Sequence, residues 1–587
     1  MRGLGALLVA ATVVSSCVAA PSGPPDAVVS YPDTILHNAR ILTLDRDDDR
    51  ATVAEALAIR DGRIVAVGTS AAMLRLAGPR TERRDLGERT VIPGIIDTHA
   101  HLTEYGLEYV KAPAERVEGR SWADIKTAAL ARIAELERGR APGTWIDLAL
   151  PSTAAGADGQ PLDVKVAIVR GLLTKADLDQ VAPTHPVLVE GGTRSAFNTR
   201  ALDVMRQVYG GLDEEIRPED GVAESVEIRR AIQVDILVGD EAQLSAAFKK
   251  EMEEWAGYGV TTMSTALSAL KDLGILRAMD RRGDAPIRLA DSHAQGITSS
   301  SGGPDFYRHF GDSLGLGSDH LWLIGASVVS GDGSYPQQAT TLSAPASVKS
   351  RELSRLAPGA YRRRVVDSIV ANGLRVSGLH IAGDKTLDDL MDAIEAGSKA
   401  RGLTAEQVRS MRHAADHCAM NPRPEQFERI KRLGMFMSCS TKYMDIAPLI
   451  AADYGPAAVR YNVPVKSMLD AGIRVVYESD IDDFDRNGAL YLIERLVTRA
   501  DRNGKVWSPQ EAVDRLVALR MATRWAAEYV LREGDLGSLE VGKWADLAVL
   551  DRDYMTVPPN QIHTLKILET RVAGKVVFPN ASFPAPR

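Results

Sequence analysis

Eight short apolar runs, separated by stretches of helical periodicity, constrain this chain more than any other feature. They fall at residues 91–98, 258–265, 286–293, 320–333, 374–380, a stretch ending at His417, 435–440 and 472–480. Strands alternating with helices argue for an α/β fold with a parallel sheet. Eight strand–helix units are what a (β/α)8 TIM barrel needs, and its chemistry sits at the carboxyl ends of the strands. His99, His101, His380, His417 and Asp480 all stand at such ends. At 587 residues the chain has room for a barrel, read here as 93–533, with further modules. Residues 105–250 are too long for one connection and are read as an inserted substrate region after the first strand.

Both ends of the chain carry short β-rich runs with turn signals. Residues 34–44, and 63–67 after the Asp61-Gly62 turn, are echoed by 545–550 and 571–577. One small composite β-sandwich domain, built from 33–92 and 534–580, is the expected result.

The segment 91–101 holds the strongest chemical signal. Asp97, His99 and His101 fall at alternate positions after the Pro93-Gly94 break. Alternate residues on a strand share a face, so the two imidazoles project side by side. A metal ion with ~2.0–2.1 Å bonds to nitrogen requires that arrangement.

The first 17 residues hold Arg2, an apolar run and Cys17 in a Val14-Ser15-Ser16-Cys17 setting similar to a bacterial lipobox. That run is too short to span a bilayer and suits a signal peptide. The reading is an exported, lipid-anchored chain of the bacterial cell envelope, with 18–32 as linker and membrane contact through the anchor alone. The net charge of −8 comes from interspersed acids and bases, and no basic patch supports nucleic-acid binding. With Cys17 set aside, Cys418 and Cys439 form no disulfide framework. Buried small residues are the favoured reading for them, with pairing open to an exported protein.

Taken together, these segments resemble the amidohydrolase superfamily of metal-dependent hydrolases, in the branch that includes N-substituted formamide deformylases. The resemblance runs through 91–101, 173–187, 197–202, Leu379-His-Ile-Ala-Gly-Asp384, Asp416-His417, Ser479-Asp480 and 537–551. It implies a divalent metal, zinc first, held by His99 and His101 with Asp480 nearby. His380 and His417 would be further ligands or would hold the attacking water. Zinc lowers the pKa of bound water to ~7 at such open sites. Asp480 would shuttle the proton, with His380 or His417 helping to polarise the carbonyl. Family members often form dimers or larger assemblies, so a homo-oligomer stays open.

Three positions depart from the branch. Val328 stands where a bridging lysine is usual, which favours one metal over two. Arg194 lies in Gly192-Thr-Arg-Ser195 where Gly-His is usual, and suggests an altered substrate region, such as one recognising a carboxylate. Asp416 replaces a glutamate. Asp332 and Asp384 are candidates for positioning substrate or for stabilising turns beside Gly333 and Gly383. His293, Lys442 and Tyr443 are candidate pocket residues. The expected activity is hydrolysis of a small amide of N-acyl or N-formyl type. The same site would also suit a carbamate, ester, lactone or cyclic amide. A non-catalytic metal- or substrate-binding lipoprotein is the competing class, and retention of all five strand-end residues argues against it.

Overall fold

The structure is a computed structural model that describes residues 30–48, 50–157, 159–212, 215–223, 225–267, 269–294, 303–308, 313–343, 353–480 and 488–579. The signal and lipobox segment 1–17 and most of the linker lie outside the described residues. Among the described residues no helix is long and apolar enough to cross a membrane.

Eight parallel strands follow one another in chain order: Ile95–Ala100, Val260–Thr265, Arg288–Ala294, Leu321–Ser327, His380–Gly383, Ala414–Met420, Phe436–Cys439 and Arg474–Tyr477. Ladder hydrogen bonds join the first four into one arc and the last four into another. Both seams are bridged. Ala326 pairs with Val376 and Ser330 with His380 at one. At the other, Asp480 N–H donates to His99 O at 3.1 Å and Thr98 Oγ1 donates to Tyr477 O at 2.7 Å. The fold is α/β and TIM-barrel-like. Its strands are apolar nearly throughout because helices such as Glu241–Gly257 and Asp384–Ala400 cover them from outside.

Two strands differ from their sequence reading. Residues 374–380 were expected as one strand ending at His380, but Gly378 breaks the run with φ of +64°. A Cβ there would lie 2.8 Å from the Ser292 side chain, so the ladder pauses and His380 opens the regular strand. At His417 the strand does not end but continues to Met420. Positive φ at His417 (92°) and Cys418 (56°) turns the histidine towards the barrel mouth.

The terminal segments join in one hydrogen-bonded network of eight strands. Glu82–Pro93 lies at its centre, parallel to Thr34–Leu42 and antiparallel to Leu547–Leu550. The 60–63 turn folds back on the far strands, where Ala545 N–H donates to Gly62 O and Ile64 N–H to Lys543 O, at 2.8 and 2.9 Å. Leu36, Ile41, Leu57, Val91, Leu547 and Val549 pack on one face, while Ile35, Ala56, Ala58 and Met73 pack on the other. Asp61 and Gly62 both have positive φ, as a two-residue hairpin turn demands. The sheet is fastened to the barrel by Arg288, fully buried, whose Nε and Nη2 donate to Asp546 at 2.7 and 3.0 Å.

Between the first barrel strand and Val260–Thr265, six strands form a separate sheet, ordered Ile216–Arg217, Val222–Ala223, Arg194–Phe197, Val187–Gly191, Ile146–Ala149 and Glu115–Arg116. Its helices Trp122–Gly139 and Lys175–Val181 begin with the capping boxes Ser121/Asp124 and Thr174/Asp177.

Candidate active site

The first barrel strand delivers His99 at its end, and His101 follows one residue beyond it. Their Nε2 atoms lie 3.3 Å apart. Asp480, just past the last strand with φ of 43°, sets Oδ1 3.2 Å from His101 Nε2 and 3.8 Å from His99 Nε2. His417 packs edge-on against both His99 and His380, with ring centroids 4.7 and 4.3 Å away. The five strand-end residues expected from the sequence thus converge on one point.

The rings are held from behind. His99 Nδ1–H donates to Asp416 Oδ2 at 2.9 Å, and Asp416 Oδ1 accepts from the Tyr529 hydroxyl at 3.1 Å. His417 Nδ1–H donates to Glu478 Oε1 at 2.6 Å, and Glu478 Oε2 accepts from Ser438 at 2.6 Å. A proton on Nδ1 leaves the Nε2 lone pair bare. Asp97, fully buried, accepts from the main-chain N–H groups of His99 and Ser479 and so locks the first strand to the last. Asp480 Oδ2 is gripped by the Tyr443 hydroxyl at 2.8 Å and by Lys442 Nζ at 2.7 Å.

Electrostatics point the same way. Burial works against the His99 imidazolium, yet the Asp416 hydrogen bond and the charges of Asp416, Glu478 and Asp480 outweigh it and lift the ring to about 9. Burial dominates elsewhere. It takes His417 down to about 3 and, reinforced by His417, holds His380 well below its ordinary value. Burial also opposes the Asp480 carboxylate, but Lys442, His417 and the His101 hydrogen bond outweigh it and keep Asp480 well below the carboxylate range. The buried carboxylates therefore favour positive charge at His99, a place that a metal ion bound at Nε2 would take from a proton.

A divalent cation fits this cluster of donors. Two imidazole nitrogens and a carboxylate oxygen, on His99, His101 and Asp480, lie within 4.8 Å of one another. His380 Nε2 is buried and has no hydrogen-bond partner among the described residues. Two imidazoles and a carboxylate, with further imidazoles adjacent, are a donor set suited to zinc and other first-row metals. Val328 is buried and offers no ligand; its carbonyl accepts from Arg362 Nη1 at 2.8 Å.

The centre opens into a cavity of about 280 Å³. Lys442, Tyr443 and Asp332 line it from the barrel, and Arg194, Glu227 and Arg230 line it from the insertion. Asp332 is a positioning group for the barrel backbone, since its oxygens accept from the N–H groups of Ala382, Gly383 and Ala339 and from Thr386 Oγ1. Two candidates lie elsewhere. Asp384 is not among the cavity-lining residues; it opens the helix Asp384–Ala400 and ties Thr340, Thr341 and Arg423 together. His293 stacks on Phe306 with centroids 5.4 Å apart and does not line the cavity either. Cys418 and Cys439, on adjacent strands, form a disulfide.

Sequence reasoning missed Glu478, Tyr529, Glu227 and Arg355. Glu478 carried a signal: a carboxylate directly after the apolar Val475-Val476-Tyr477, two residues before Asp480. Tyr529 and Arg355 reach the centre from distant helical and loop segments and carried none.

A barrel that collects imidazoles and an aspartate at its mouth is the architecture of metal-dependent hydrolases. Within that class the chain belongs to the amidohydrolase family, whose model matches residues 82–578, and it is a hydrolase of carbon–nitrogen bonds other than peptide bonds. The N-substituted formamide deformylase of Arthrobacter pascens is 26% identical over 583 residues, covering 92% of this chain and 97% of its own length. Two uncharacterized metal-dependent hydrolases share the fold at 20% identity. The one from Pyrococcus furiosus has a TM-score of 0.59, with 89% of this chain and 100% of its own covered. For the one from Pyrococcus horikoshii OT3 the TM-score is 0.61, with 90% and 99% covered.

Proposed function

We propose that this chain hydrolyses a small amide of N-formyl or N-acyl type, with one zinc ion and with Asp480 as the proton shuttle. The observation that carries this reading is the placement of Asp480, one oxygen beside His99 and His101 and the other held by Tyr443 and Lys442. His99, His101 and Asp480 would hold the metal, with His380 and His417 completing its surroundings. The metal supplies Lewis-acid polarisation and a more acidic water.

Asp480 is ionised near neutrality, so it accepts the proton of the attacking water as the oxygen bonds to the amide carbon. When the C–N bond breaks, the same oxygen returns that proton to the leaving nitrogen, giving a carboxylic acid and an amine. Tyr443 and Lys442 keep the carboxylate from swinging away between the two transfers. Asp416 and Glu478 hold the His99 and His417 rings in the tautomers that present Nε2. His380 and His417 border the position of the scissile carbonyl.

The N-terminal sequence supports an exported, lipid-anchored protein. The Cys418–Cys439 disulfide suits the same oxidising compartment.

The test is metal content per chain of protein lacking residues 1–17, with turnover of an N-formyl and N-acyl amide panel before and after chelation. About one zinc, with activity lost on chelation and restored by metal, is expected. Asp480→Asn should lower kcat by about 10²–10⁴-fold while the fold survives. Unchanged turnover in that variant would sink the mechanism.

A further inference from the structure

Most charged side chains around the cavity are already paired. Arg230 is bound to Glu104, Arg229 lies 3.2 Å from Glu190, and Lys442 lies 2.7 Å from Asp480. Glu227 faces Arg362 at 3.7 Å, and Arg362 also grips Glu215 at 2.6 Å. Arg355 differs from all of these. Its guanidinium lines the cavity, and its one side-chain hydrogen bond is a long one, from Nη1 to Ser330 Oγ at 3.4 Å. Among the described residues no carboxylate lies within ion-pair distance of it.

Its neighbours make matters worse for a lone cation. Burial, with the charges of Arg362 and Arg194, outweighs the opposing charges of Glu215 and Glu227 and pushes Arg355 down to about 10, which still leaves it protonated at neutral pH. A partly desolvated cation with no carboxylate in direct contact is costly, and the cost is relieved when an anion binds. Arg194, at the start of its insertion strand, lines the same cavity.

The backbone fixes how near this charge stands to the metal centre. Arg355 N–H donates to Gly331 O, and Gly331 N–H donates to His380 O, both at 2.8 Å. Ser330, the partner of the guanidinium, forms the barrel-seam bridge with His380. One small molecule can therefore place an amide at the histidines and an anionic group at Arg355.

We propose that the substrate carries a carboxylate, bound by Arg355 with Arg194 alongside, so that the amide cleaved is an N-formyl or N-acyl amino acid or a close relative. This assignment rests on the amide-hydrolase reading of the same cavity. The guanidinium matches a carboxylate through paired N–H donors, a geometry that lysine does not reproduce.

The experiment compares matched substrates on the metal-loaded protein: N-formylphenylalanine, as each enantiomer, against N-phenethylformamide, the same molecule without its carboxylate. The acetyl counterparts extend the series. Wild type should favour the better carboxylate substrate by about 30- to 100-fold in kcat/KM, the worth of a charge-assisted hydrogen-bonded pair. Arg355→Ala and Arg355→Met should bring that ratio to within about threefold of unity, with Arg355→Lys intermediate. A wild-type ratio at or below unity overturns the assignment, as does a preference that survives in both variants. If neither class is turned over, the amide-hydrolase reading fails separately. Calorimetric titration with N-formylphenylalanine then decides for Arg355. Binding at least about 30-fold weaker in Arg355→Met supports it, and equal affinity or no binding to wild type overturns it.

Discussion

Asp416→Asn isolates the positioning of His99 from the ligand set itself. Asp416 is fully buried and makes two contacts, to His99 Nδ1 at 2.9 Å and to the Tyr529 hydroxyl at 3.1 Å. Asparagine keeps the shape and can still accept from His99 through its carbonyl. It removes the negative charge that raises the basicity of the ring. A hydrogen bond to a charged partner is worth about 1.5–3 kcal/mol against about 1 for a neutral one. The difference, about 1–2 kcal/mol, corresponds to a loss of about 5- to 30-fold in metal affinity, in line with what outer partners of metal-binding histidines contribute. Competition with a chromophoric chelator at neutral pH measures it directly. Tyr529→Phe, which removes the second contact and also the hydroxyl that accepts from Gly378 N–H but leaves the His99 hydrogen bond in place, should cost less, about fivefold. Metal affinity unchanged within twofold in Asp416→Asn, with the melting temperature preserved, would refute the claim that Asp416 sets the ligand character of His99.

Three further perturbations test the fold. Arg288→Ala leaves Asp546 buried without its bidentate partner and should destabilise by about 3–5 kcal/mol, read as a lowered Tm; a Tm within a degree of wild type would mean that the sheet is fastened elsewhere. Glu227 is held down to about 2, because Arg362, Arg230 and the Ser225 hydrogen bond outweigh burial, which opposes its ionisation. Its folded pKa lies below the ordinary 4.5, so its stabilisation is present above that pH and is lost as pH falls from 4.5 towards 2. That amounts to about 3 kcal/mol, and Glu227→Gln should flatten this part of an acid-unfolding curve. Replacing Cys418 and Cys439 together by alanine opens a loop of sequence separation 21 and should cost about 3 kcal/mol in denaturant unfolding; an unchanged midpoint would argue that the two thiols are not joined.

The barrel was legible because its strands are buried on both faces, so each reads as a short apolar run with its chemistry at one end. His99 and His101 announced themselves by alternate spacing, and Asp480 by closing the last run. The groups that tune them were harder to find. Asp416 and His99 are 317 residues apart, and Tyr529 comes from a helix beyond the last barrel strand. No local pattern encodes such a meeting. Asp384 was a reasonable candidate from its place after a glycine, but an aspartate at the first turn of a helix has backbone and arginine partners close at hand. The cavity wall from the insertion was illegible for a related reason. Which of its charged residues face the barrel depends on how a separate sheet docks, and surface charge has no periodicity that records it.

The terminal sheet ties completion of the molecule to the order in which it is made. Glu82–Pro93 runs almost directly into the first barrel strand, yet one of its two neighbours, Leu547–Leu550, leaves the ribosome only after the whole barrel. Until then a long central strand has an open hydrogen-bonding edge, which invites pairing with other chains. Arg288 likewise waits for Asp546, 258 residues later. A polypeptide released early therefore lacks both the partner strand and the buried counter-charge, and quality control meets an unclosed sheet rather than a shorter working enzyme.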